Sequence, residues 1–300
     1  MPILEQHPVQ ILPDTSRFQT LTFTSPADGT PQKVNIYSPS THTDEPLALV
    51  LAPHPITWTP EQEYQGGWDG MQKWGYHRGY YGLADEFGVI IALPHGHHRR
   101  EEFCSLGAPE QITDMAYLID ALPRHGYVID QGRVYVCGKS MGGQEALLLA
   151  GRYPEKLAAA VAFNPIVDLA AWQEDLANSP LPEIREFGTD KRVANEVGGL
   201  PGDVAALYAE RNALTYADGL AKVPTLIFWT ELDSVVPRQI THHTMKLYNA
   251  VKANDITSPI AEYNHTRIHA VQDFGGDIGW QLHEWCDYKL ALQWMLMHRK

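Results

Sequence analysis

Cysteine is scarce in this sequence. Cys104, Cys137 and Cys286 are an odd set of three in 300 residues, which matches neither a disulfide framework nor a zinc-ligand spacing. Cys137 falls in an apolar stretch and reads as a small core residue. Basic residues are also few: 23 Lys and Arg against 36 Asp and Glu leave a net charge of −13. That balance argues against nucleic acid or an anionic membrane surface as the main partner, because both require clustered cations. Residues 1–10 hold no basic n-region and no apolar core, and no run is apolar for long enough to span a bilayer. A soluble, cytoplasmic chain is expected. Internal repeats, low-complexity tracts and linkers are missing too, and 44% hydrophobic content suffices for one sizeable core. Residues 1–300 are therefore read as a single domain, and a homo-oligomer is left open.

What is present is an alternation of strand-like and helix-like stretches. Residues 17–24 and 33–37 alternate polar and apolar around the turn signal Pro26-Ala27-Asp28-Gly29, so residues 17–38 read as an antiparallel hairpin at one sheet edge. Continuous short apolar runs follow at 47–52, 89–93, 157–163 and 224–230, with a last strand at 259–263. Helical patterns occupy 81–87, 112–122, 239–251 and 287–298. The pattern predicts an α/β fold with a mostly parallel sheet and helices on both faces. Residues 166–216 are broken by Pro180, Pro182, Gly188, Gly198, Gly199, Pro201 and Gly202. Such a long connection is expected to be a lid or cap insertion.

The chemistry concentrates between residues 133 and 152. Val134, Tyr135 and Val136 lead to Gly138-Lys139-Ser140-Met141-Gly142, and after Gly143 come good helix formers, Glu145 to Ala150. A G-x-S-x-G on a strand-to-helix corner holds a nucleophile at an exposed apex, with neighbours lacking Cβ atoms so that strand and helix can approach. The helix that follows points amide N–H groups toward the serine and favours negative charge there. Serine is a weak nucleophile at neutral pH, so an imidazole must take its proton and a carboxylate must orient that imidazole. With the order Ser, acid, His, the acid belongs in the loop after 224–230, where Asp233 is the choice and Glu231 its competitor. His265, His269 and His283 lie between the last strand and the closing helical stretch. His265 stands close to the strand end, and geometry alone divides the role between His269 and His283.

These residues resemble the α/β-hydrolases, in particular the prolyl oligopeptidase-like and feruloyl or acetyl esterase-like branches. Gly138 to Gly143 looks like their nucleophile elbow, and Asp130-Gln-Gly-Arg-Val-Tyr-Val136 is similar to the lead-in before it. Val197-Gly-Gly-Leu-Pro-Gly202, with Tyr208 and Arg211-Asn212-Ala213, looks like the connector before the acid strand. Asp233-Ser-Val-Val-Pro237 is similar to the acid loop, and His283-Glu-Trp285 resembles the His-Asp-Trp segment of the esterase branch. Leu282 departs from the glycine that often precedes that histidine. The resemblance implies an α/β-hydrolase fold and a catalytic triad of Ser140, Asp233 and His283. No propeller domain is expected before this part, and with it the gating of large oligopeptidases is expected to be absent, which leaves ester and peptide bonds both open.

An acyl-transfer oxyanion needs two N–H donors. One is expected at Met141 and the other in the turn His54-Pro55-Ile56-Thr57; Pro55 has no N–H, so the donor is Ile56 or another neighbour. Trp58 and Trp68, in an aromatic, glycine-rich stretch, are candidates for stacking on an aromatic or sugar-bearing substrate, or for a small satellite core. Arg99, or its neighbour Arg100, is a candidate for binding a substrate carboxylate. Its neighbours His95, His97 and His98 are adjacent in a loop and rarely converge on one ion, so neither a metal nor another cofactor is expected. The reading is a metal-free serine hydrolase cleaving a small carboxylic ester through an acyl-enzyme. A serine peptidase acting on short peptides is the first alternative, and a non-catalytic binding protein on the same fold is the second.

Overall fold

The computed structural model describes residues 18–39, 45–55, 78–97, 105–182, 185, 192–231, 233–264 and 288–300. Among these, β1 (Phe18–Thr24) and β2 (Pro31–Tyr37) form the antiparallel hairpin, with the left-handed Gly29 in its turn. The chain continues through β3 (Leu47–Leu51), α1 (Arg78–Phe87), β4 (Val89–Pro94) and α2 (Pro109–Ala121) to β5 (Ile129–Lys139) and α3 (Met141–Arg152). Then come β6 (Ala159–Phe163), the helices α4 (Leu169–Ala177), α5 (Arg192–Val197) and α6 (Ala205–Glu210) in the irregular segment, and further on β7 (Thr225–Trp229), α7 (Thr244–Asn254), β8 (Ile260–Asn264) and α8 (Tyr288–Leu296).

The eight strands lie in the order β1-β2-β4-β3-β5-β6-β7-β8. The pairs β1/β2 and β2/β4 are antiparallel, and all the others are parallel. Alternation divides the strand residues between two cores. Val134 and Val136 of β5 face the side covered by α2, α3 and α7, whereas Tyr135 and Cys137 face the side covered by α1 and α8. The central strands are buried on both faces, which explains why 47–51, 89–94 and 159–163 are apolar without interruption. With the expected strands and helices in place, this is the α/β-hydrolase fold.

The expected helix at 239–251 starts later, at Thr244. Arg238 takes a left-handed conformation (φ 55°), and the Gln239 Oε1 accepts from the Thr244 hydroxyl at 2.6 Å, so residues 239–243 form a turn that leads into α7. In segment 166–216 a third apolar cluster brings Leu169, Trp172 and Tyr208 against Met141 and Val236. The Trp172 indole N–H also donates to the Val235 carbonyl at 2.7 Å. The segment is thereby attached at the carboxyl ends of β5 and β7, where ligands bind in open α/β sheets.

Candidate active site

β5 ends at Lys139 and α3 begins at Met141, so Ser140 alone makes the reversal. Its φ of 57° and ψ of −120° lie in a region that side chains with a Cβ disfavour. Backbone bonds hold it there: Ser140 N donates to the Phe163 carbonyl at 2.9 Å, and its own carbonyl accepts from Gln144 N at 2.9 Å. The motif's glycines are required by close approach. A Cβ at Gly138 would lie 2.2 Å from the Gly142 oxygen, and one at Gly142 would lie 2.1 Å from the Pro53 oxygen. That second contact seats the turn after β3 directly against the elbow. The Ser140 hydroxyl is buried and has no hydrogen-bond partner among the described residues. The Met141 amide, at the N-terminus of α3, likewise has no acceptor among the described residues.

Asp233 and Glu231 differ in their surroundings. Glu231 is partly exposed and accepts from Ile240 N at 2.6 Å, which occupies it in its own loop. Asp233 is buried; its Oδ1 accepts from Val235 N at 2.8 Å and Val236 N at 2.9 Å, and its Oδ2 from the Asn164 side-chain amide at 2.6 Å. Burial pushes the Asp233 carboxyl above its ordinary range, against the opposing pull of the Val236 N–H, the Lys139 charge, the Val235 N–H and the Asn164 amide.

Asn164 is the residue that sequence reasoning missed. It follows β6 in a left-handed conformation (φ 42°), donates its N–H to the Phe228 carbonyl at 2.8 Å, and accepts from Thr230 N at 2.8 Å through its side-chain oxygen. Phe163 therefore ties Ser140, and the next residue ties Asp233, so one strand end brings the two candidates to the same rim. The available signal was an Asn ending an apolar strand, since Asn is among the few non-glycine residues that tolerate this conformation.

The turn after β3 carries His54, whose Nδ1 lies 2.7 Å from the Pro55 oxygen and whose Nε2 lies 3.2 Å from the His95 oxygen. His97 is buried and pinned by Asp114 and Asp28. The candidates Ile56, Trp58, Trp68, Arg99, His265, His269 and His283 lie outside the described residues. Among the described residues no cluster of three or more His, Cys, Asp or Glu is arranged to hold a metal ion, and no helix is long and apolar enough to cross a membrane.

The family model described as the prolyl oligopeptidase family matches residues 100–285. No curated protein matches the sequence at a significant level. Among solved structures, a candidate dipeptidyl aminopeptidase IV from Bacteroides ovatus is similar at a TM-score of 0.64 and 21% identity, over 94% of this chain and 36% of its own. The Pyrococcus horikoshii acylaminoacyl peptidase gives 0.61 and 16%, over 94% and 41%. An S-formylglutathione hydrolase from Agrobacterium tumefaciens gives 0.56 and 19%, over 94% and 95%. The chain thus spans about two fifths or less of the two peptidases, and these likenesses establish the shared fold.

Proposed function

The chain belongs to the prolyl oligopeptidase family, and from that membership we propose that it is a serine hydrolase that cleaves small carboxylic esters through an acyl-enzyme. The observation that carries this reading is the end of β6, where Phe163 and Asn164 hold Ser140 and Asp233 by hydrogen bonds from consecutive residues. Ser140 Oγ attacks the acyl carbonyl while His283 takes its proton. Asp233 orients His283 and stabilises its charged form; Asn164 takes one acceptor position of Oδ2 and leaves another for the imidazole. The Met141 amide, with one from Ile56, receives the oxyanion, and removing one such donor typically lowers kcat by about 10²–10³-fold. His283 then protonates the leaving alcohol. Water repeats the sequence on the acyl-enzyme, releasing the acid and restoring the Ser140 hydroxyl.

An ester asks least of this machinery, because an alkoxide departs with less protonation than an amide nitrogen. An S-formylglutathione hydrolase and a thermostable esterase stand among the structural neighbours. Trp58, Trp68 and Arg99 are proposed to contact substrate, and segment 166–216 to cap the site. The family match and the peptidase neighbours support a peptidase as the second reading.

Turnover of a p-nitrophenyl acyl ester is expected to exceed that of a peptide p-nitroanilide, and strong anilide cleavage with negligible ester turnover would reverse the preference. Fluorophosphonate labelling should disappear in Ser140→Ala and persist in Ser234→Ala; a wild-type chain that is never labelled would favour a binding protein. His283→Gln should abolish acylation, and His269→Gln should leave it largely intact.

A further inference from the structure

Beneath Met141 lies a buried polar cluster for which the proposed chemistry has no direct use. Met141 and Glu145 are four residues apart on α3 and so share one face of it, turned toward residues 105–106. Leu106 N points at the Met141 sulfur at 3.4 Å. The Ser105 hydroxyl, 3.9 Å from the same sulfur, donates to Glu145 Oε1. Gln111 Nε2 donates to the other oxygen of that carboxylate at 3.2 Å. Arg211 clamps the segment from outside, its Nη1 donating to the Ser105 carbonyl at 2.7 Å and the Leu106 carbonyl at 3.3 Å. Its own carbonyl accepts from the Gln144 side chain at 2.8 Å. Leu106 is left-handed at φ 45° and Gly107 at φ 66°, so the cluster holds a strained turn.

Seating a methionine in an apolar pocket requires none of this. Leu106, Ile166 and Trp172 already supply the apolar contacts, while a buried carboxylate is costly to keep unless its bonds are satisfied. The polar groups converge instead on one consequence: residues 105–106 are held rigidly, and they in turn hold the side chain of the residue whose amide faces Ser140. We propose that Glu145 is a positioning residue, which acts through Ser105 to fix the Met141 side chain and hence the direction of the Met141 N–H. This rests on the reading above in which that amide receives the oxyanion.

The test compares an oxygen ester with the thionoester of the same acyl and leaving groups. Amide donors stabilise a developing oxygen anion far more than a sulfur anion, so a misdirected donor slows the oxygen ester selectively. In Glu145→Ala, kcat on the oxygen ester is expected to fall about tenfold with KM within about twofold, while thionoester turnover changes less than about threefold. Ser105→Ala should give the same selective loss. The double variant should be no slower than the slower single one, as for residues acting in one chain. Glu145→Gln can still bond both Ser105 and Gln111 once the Ser105 hydroxyl turns, and should retain most of the activity. Equal losses on both substrates, no loss on the oxygen ester, or multiplying losses in the double variant would overturn the positioning role. Ser105→Ala carries the test if Glu145→Ala does not fold. Ser140→Ala in the same assays separates the two claims: ester turnover that survives it overturns both, whereas an inactive Ser140→Ala beside unchanged substrate ratios overturns the positioning role alone.

Discussion

His97 has its Nδ1 2.7 Å from Asp114 and its Nε2 3.1 Å from Asp28, and Ser25 donates to the other Asp114 oxygen at 2.5 Å. Burial favours the neutral ring, but the hydrogen bonds and charges of Asp114 and Asp28 together outweigh it and raise the pKa above its ordinary value. A raised folded value stabilises the fold below pH about 6.5, and that contribution is lost as pH rises through the folded pKa. His97→Gln should therefore lower stability by about 2 kcal/mol at pH 5.5 and by less at pH 9, read from urea midpoints; a pH-independent loss would contradict the ion pairs. His243 behaves oppositely. Its Nδ1 accepts from Val167 N at 3.2 Å, so the ring is neutral, and burial pushes its pKa down to about 3. Between pH about 6.5 and 3 only the unfolded chain takes up that proton, so stability falls by up to about 1.4 kcal/mol per unit as pH falls. His243→Asn should flatten this limb of an acid-unfolding titration. Neither role was legible in the sequence, because each depends on partners brought from distant segments: Asp28 and Asp114 for one ring, the Val167 amide for the other.

At the scale of elements, the corner between β5 and α3 was legible because its demands are local. β-Branched residues, a motif with two glycines and a run of helix formers agree along the chain. The reason for Gly142 was not legible, since the atom it must avoid, the Pro53 oxygen, lies some ninety residues earlier. Gly142→Ala is expected to destabilise the fold by about 1–3 kcal/mol and to abolish ester turnover, because backbone atoms on both sides must shift. Gly202 gives the contrast: nothing lies within 4 Å of a Cβ added there, and its φ is not in the left-handed range. Gly202→Ala should stabilise by about 0.4–1 kcal/mol, seen as a higher Tm with unchanged kcat. The late start of α7 escaped the periodicity of residues 239–251, because the positive φ of Arg238 and the Gln239 side-chain bond to Thr244 interrupt a pattern whose spacing alone was helical.

At the scale of the whole molecule, β2 pairs with β4 and places Val34 and Ile36 in the core beside α2, while Ser25 and Asp28 in the hairpin turn reach Asp114 and His97. Removing residues 1–38 would expose the β4 edge and apolar surface together, and is expected to yield aggregate by size-exclusion chromatography; a monomeric, active remainder would show the hairpin to be dispensable. The sequence by itself determined the fold class, the place of Ser140 and the choice of Asp233 as acid candidate, because strand and helix periods, a strained corner and the end of an apolar strand are written in neighbouring residues. Only the tertiary structure decided that Asn164 links Asp233 to β6, that the Pro53 turn rests on Gly142, and that Glu145, Ser105 and Arg211 converge under Met141. Those contacts join residues far apart in the chain, and no local period encodes them; they exist once the parallel strands align their carboxyl ends on one rim.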